Sequence, residues 1–208
     1  MRTTQRDVLV STAERLFAEQ GIDAVSLRTV MAEAGTNVAA VRYHFGTKDS
    51  LVEAVVQARS QEIKAIRDEL LSTLETSDTP GVRAIAEAFV LPLAAMASSG
   101  DTAWIRLVAG IASNGHPAIG VIDDEFTDQT RRLGVQLRRV LPDLDPVSMR
   151  FRMTVAMTLA YRTLGDLADL RVRIATPGSP AVDEQRVVDE LVDAVAAVLA
   201  GPARESSS

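Results

Sequence analysis

The sequence predicts an all-α fold: a short three-helix head followed by a larger helical body. Apolar residues recur at helical spacing along most of the chain, no stretch alternates with period two between turn signals, and glycine, proline or a capping hydroxyl punctuates the helical segments. The 208 residues are 47% hydrophobic and 24% charged, an ordinary globular composition with room for a sizeable core. No run approaches the roughly 18 uncharged apolar residues that span a bilayer. Met1 to Asp7 leads into an amphipathic pattern without a signal-peptide core, so a cytoplasmic location away from membranes is expected. There is no cysteine, which excludes a disulfide framework and a thiolate metal site.

The first helix is expected from Thr4 to Glu19, with Leu9, Ala13, Leu16 and Phe17 on one face and Gly21 as C-cap. Ser26 caps a short helix, Leu27 to Ala34, that Gly35 breaks. Asn37 caps a second short helix, Val38 to Phe45, and Thr47 caps a long one from Lys48 to about Leu74. Glu75 to Gly81 is a polar loop. Body helices follow at about Val82–Ala97, Thr102–Asn114, Pro117–Leu141, Pro146–Val172 and Val182–Leu199. The expected domains are a head at 1–50, a body at 51–200 and a disordered tail at 201–208.

The net charge of −6 is unevenly spread: residues 1–48 hold six basic and five acidic side chains, and the remainder is strongly acidic. Within the head, two short helices joined at Gly35 have the form of a helix-turn-helix. Val30, Val41 and Phe45 are expected to pack it onto the first helix. That leaves Ala39 and Ala40 outward among Arg42, Tyr43 and His44, a face that suits a major groove. Thr36 and Asn37 at the turn, Arg28 at the start of the preceding helix and Lys48 in the first turn of the long helix are the remaining candidates for DNA contact.

The residues Ala13, Leu16-Phe17-Ala18-Glu19, Gly21, Ser26-Leu27, Val30, Ala34-Gly35 and Tyr43-His44-Phe45-Gly46-Thr47-Lys48-Asp49-Ser50-Leu51 together resemble the N-terminal domain of the tetracycline-repressor (TetR) family. Two positions depart from its pattern: Met31 stands where alanine is usual, and Arg42 where many members have tyrosine. The resemblance implies a homodimer formed by the last two helices of each subunit. It also implies a pocket whose small-molecule effector shifts the two heads out of register with a palindromic operator in double-stranded DNA, and so a nucleoid-associated transcriptional repressor. No cofactor is expected.

In the body, Val188, Leu191, Val192, Val195, Val198 and Leu199 form one apolar stripe and Met149, Met153 and Met157 another. Both are expected to be buried against a symmetry mate. Phe89, Met96, Trp104, Phe126, Phe151, Met157 and Tyr161 are the candidates for lining the effector pocket. Arg106 and Arg162 are expected to meet an acidic ligand or to pair with Asp166 or Asp169, and Asp123-Asp124-Glu125 to be a solvated face.

An enzyme is not expected. The chain has no Ser-x-x-Lys or Gly-x-Ser-x-Gly nucleophile, no phosphate-cradling glycine loop and no paired histidines. The alternative function is a small-molecule carrier or adaptor with a vestigial DNA head.

Overall fold

The computed structural model describes residues 4–36, 44–175, 178 and 181–202. Its described helices are α1 (Gln5–Gln20), α2 (Leu27–Glu33), α3 (Lys48–Thr76), α4 (Val82–Ser98), α5 (Thr102–Asn114), α6 (Ile119–Val140), α7 (Pro146–Gly165), α8 (Leu167–Ile174) and α9 (Glu184–Ala200). No strand occurs among the described residues. None of these helices is long and apolar enough to cross a membrane.

Local chemistry sets the head. Thr4 and Asp7 close a capping box, Asp7 N donating to Thr4 Oγ1 at 3.2 Å and Thr4 N to Asp7 Oδ2 at 2.9 Å. Ser26 Oγ accepts from Thr29 N at 3.1 Å and starts α2. Gly35 ends the helix at φ +62°, and Thr36 N then reaches back to Met31 O at 3.0 Å. This crossed pattern satisfies the carbonyls a helix end leaves open. Thr47 Oγ1 accepts from Ser50 N at 3.1 Å at the head of α3. Leu9, Ala13, Leu16, Phe17, Val30, Leu51, Val52 and Val55 close the head core, with Phe45 and Met31 half-buried against it.

α3 continues without a break from head to body, and its 29 residues pass the end expected near Leu74. The polar loop is correspondingly shorter than Glu75–Gly81. In the body, α4 packs against α9, α3 and α7, while α5 packs against α7 on one side and α1 of the head on the other. α6 lies along α3. Arg132 on α6 holds Glu75 with two bonds of 2.8 and 3.0 Å and Asp68 with one of 2.7 Å.

Five expectations are corrected here. The helix expected over Pro146–Val172 is two, α7 and α8, separated at Asp166. Just before the break α7 crosses α5 closely: a Cβ on Gly165 would stand 3.0 Å from Arg106 Cγ and 3.4 Å from the Arg106 backbone. The helix expected from Pro117 starts at Ile119, after His116 Nδ1 accepts from Ala118 N at 3.1 Å. The stripe of α9 is not held for a partner, because Val188, Leu191, Val192, Val195 and Leu199 are buried inside the subunit. Met149 and Met153 are likewise buried, their side chains meeting α6 at Gly134. Glu125 is half-buried and partnered: it is paired with Lys64, and Ser60 Oγ donates to its Oε2 at 3.1 Å, tying α6 to α3.

Candidate nucleic-acid interface and ligand chamber

On the head, Arg28 is exposed on the outer side of α2. Thr36 is half-buried with its hydroxyl oxygen shielded. His44 is half-buried with its ring 6.1 Å from that of Phe45, and the Arg6 guanidinium covers Phe45 at 5.4 Å. Lys48 Nζ reaches the carbonyl of Asp23 at 3.4 Å, which places its ammonium beside the loop between α1 and α2. Asn37, Ala39, Ala40, Arg42 and Tyr43, together with Val41 and the cap expected of Asn37, lie outside the described residues.

Contacts to α3 gather α1 and α5 at the junction of head and body. Arg59 on α3 lies 3.7 Å from Glu14 of α1 and 3.2 Å from Asp101 at the start of α5. Glu14 is 7% exposed, and burial, reinforced by the nearby Asp101, pushes its carboxyl above the usual carboxylate range against the pull of Arg59. Trp104 on α5 is fully buried, and its Nε1–H points at Val55 O and Val56 O on α3, both at 3.1 Å. A cleft of about 640 Å³ lies along this junction, between Phe17, Ala18 and Ile22 of the head and Arg106, Gly110 and Arg162 of the body.

A second chamber, about 330 Å³, opens between α5, α6 and α7. Phe89, Val108, Ile122, Met153, Met157 and Tyr161 give it an apolar wall, and Asp123, Arg150 and Arg162 stand at its exposed rim. That size and lining fit a small, mostly apolar molecule. Ala109, Tyr161 and Arg162 belong to both spaces, so the chamber adjoins the cleft at the head.

Of the seven pocket candidates, the structure brings Phe89, Met157 and Tyr161 together. Trp104 and Met96 are core, and Phe126 lies beneath two cations, Lys64 at 5.7 Å and Arg67 at 5.5 Å. Phe151 is the clear miss. It is 68% exposed, because α7 turns Met149 and Met153 inward and leaves residue 151 on the outer face. Met153 was legible only as part of a stripe. Its place in the wall depends on α6 crossing at Gly134, which no local pattern announces.

Residues 9–55 match the family described as bacterial regulatory proteins, tetR family, and residues 87–198 match the tetracyclin repressor-like C-terminal domain. The chain is 24% identical over 213 residues to the HTH-type transcriptional repressor KstR2 of Rhodococcus jostii (strain RHA1), covering 97% of this chain and 94% of that one. It is 28% identical over 83 residues to the HTH-type transcriptional regulator BetI of Rhizobium meliloti (strain 1021), a match spanning 40% of this chain and 39% of that one. Among solved structures, it is similar to the ketosteroid transcriptional regulator KstR2 of Mycobacterium tuberculosis, with a TM-score of 0.58, 21% identity and coverage of 99% and 98%. PfmR of Thermus thermophilus is similar at a TM-score of 0.57 and 17% identity, covering 98% of this chain and all of that one. Both the head and more than half of the chain in the body are accounted for, and the chain belongs to the tetR family of bacterial regulatory proteins, as an all-α, DNA-binding transcriptional regulator.

Proposed function

We propose that the chain is a homodimeric repressor whose two heads hold a palindromic operator and release it when a small effector enters the body chamber. The observation that carries this reading is the double role of α5. Val108 and Ala109 form part of the chamber wall, and the same helix packs on α1 and hangs from α3 through Trp104. An effector that displaces α5 displaces the head with it, and by linkage the operator must oppose the effector by the same factor.

On this reading Arg42, Tyr43 and His44 face the major groove, with Ala39 and Ala40 allowing close approach. Arg28, Asn37 and Lys48 meet the phosphates, while Thr36, its hydroxyl shielded and its N–H bonded to Met31 O, holds the turn instead. The Lys48 ammonium has donors to spare beyond its bond to Asp23 O. The dimer forms through the outer faces of α7 and α9, where Val147 and Phe151 are each 68% exposed. Residues 1–50 act as the head and 51–200 as the body, the protein works in the cytoplasm on chromosomal DNA, and it binds its effector without transforming it.

Selection from a pool of random duplexes with the purified full-length chain tests this. The expected result is one enriched inverted repeat, its half-sites about 34–36 Å apart or a multiple of that. Sequence-blind retention overturns it and favours a small-molecule carrier with a disused head.

A further inference from the structure

Arg106 of α5 and Arg162 of α7 come to one crossing of the body helices. Arg162 lies one turn before Gly165, and Gly165, lacking a Cβ, makes room for the stem of Arg106. Both arginines are exposed, and both line the cleft between head and body. Neither makes the pair expected with Asp166 or Asp169. Among the described residues no carboxylate closes an ion pair with either guanidinium, and neither donates a hydrogen bond. Arg132 and Arg139 on α6, by contrast, each hold at least two acceptors. The cleft has acids of its own, Asp23 on the head and Asp166 after α7, but these leave the two arginines unpaired.

The cleft and the chamber meet at Ala109, Tyr161 and Arg162. Of the charged residues described in the two linings, Arg162 alone borders both spaces. On one side of it lies the apolar wall of Phe89, Met153 and Met157, and on the other the cleft that Arg106 also lines. An apolar space that gives onto two unpaired guanidinium groups suits a molecule that is apolar at one end and acidic at the other, because each guanidinium presents a fixed fork of N–H donors to an oxyanion. The cleft also has a head side, with Phe17, Ile22 and Asp23. A negative charge held there repels Asp23, so the head feels the ligand directly as well as through α5.

We propose that the effector is an amphiphilic anion that lies across both spaces. Its acidic group, a carboxylate or one of like charge, sits in the cleft between Arg106 and Arg162, and its apolar remainder lies in the chamber along Phe89, Met153 and Met157. The inference rests on the chamber being the effector site.

The test uses the full-length protein and three probes of one chain length: decanoate, decan-1-ol and decylamine. Binding is read at low salt from the melting temperature and from the fluorescence of Trp104, the single tryptophan, whose ring lies 6.2 Å from that of Tyr161. Decanoate should bind the wild type about fivefold to thirtyfold more tightly than decan-1-ol, the reach of two exposed ion pairs. Arg106→Gln/Arg162→Gln, in which glutamine keeps the stem that packs on Gly165, should lose that preference and still bind decan-1-ol. Asp23→Asn should widen the preference, and a narrower one contradicts an acidic group facing the head. Equal binding of decanoate and decan-1-ol to the wild type, or tighter binding of decylamine, which Asp23 and Asp166 would hold, overturns the anion assignment and leaves the chamber as a site. A preference that survives Arg106→Gln/Arg162→Gln, or that Arg150→Gln at the chamber rim abolishes, overturns the position in the cleft. No response to any of the three probes overturns both the inference and the chamber reading beneath it.

Discussion

Two glycines give the account a test in which one chemical change has opposite signs. Gly35, at the turn of the helix-turn-helix, has φ +62°, and a Cβ built on it meets nothing within 4 Å among the described residues. Gly35→Ala therefore clashes with none of the described residues, and its cost is that of the left-handed backbone, about 1–2 kcal/mol for an L residue. Gly120 lies in the first turn of α6, exposed, and a Cβ there also meets nothing within 4 Å. Its replacement by alanine removes unfolded-chain freedom and raises helix propensity, a gain of about 0.5–1 kcal/mol. For a chain of this size, 1 kcal/mol moves the melting temperature by about 2–4 °C. Gly35→Ala should melt about 2–8 °C below wild type, Gly120→Ala about 1–4 °C above it, and Gly35→Asn between Gly35→Ala and wild type, because asparagine tolerates that region. Differential scanning calorimetry at one protein concentration reads all three. Shifts of the same sign for Gly35→Ala and Gly120→Ala would refute the reasoning.

Further outcomes follow from the junction and the outer face. Trp104→Phe removes the indole N–H that reaches Val55 O and Val56 O and leaves unfilled space in a fully buried site. It should cost about 2–3 kcal/mol by urea unfolding, and a loss below about 0.5 kcal/mol would contradict the anchoring role given to it. Glu14 has a raised carboxyl pKa, so its ionised form costs stability at neutral pH, and that cost is relieved as pH falls through the raised value toward 4.5. Wild type should therefore gain on Glu14→Gln in urea midpoint between pH 7 and pH 4.5; a gap moving the other way would be inconsistent with burial as the dominant cause. Phe151→Glu places a charge on the outer face of α7, where 68% of the residue is exposed. Light scattering should show a monomer of unchanged melting behaviour at low concentration, and an unchanged dimer mass would exclude that face from the interface.

Outside residues 37–43 the head was legible, because its determinants are local. Ser26, Gly35 and Thr47 do in the structure what their side chains and spacing predict. The body was legible as helices and not as surfaces. Period 3.6 finds the stripe of α9 and cannot say whether the subunit or a symmetry mate covers it, and here α4 and α7 do. The break between α7 and α8 was hidden because Gly165 is followed by good helix formers, and the crossing with Arg106 that demands a glycine is a long-range fact. The burial of Arg67, 1% exposed on α3, was missed for a related reason: with Lys64, Asp68 and Glu69 around it, it reads as one more charge on a solvated helix. One signal was present. Arg67 falls four residues after Ile63 and four before Leu71, squarely on the apolar stripe of α3.

The most direct measurement of the central claim is the affinity of the purified chain for a selected inverted-repeat duplex against a scrambled duplex of the same composition, by fluorescence anisotropy across a salt series. The expected ratio is about a thousandfold or more, with both affinities falling steeply as salt rises, since phosphate contacts supply the non-specific part. A ratio near one, or binding that ignores salt, would contradict the assignment of this chain as a sequence-specific regulator.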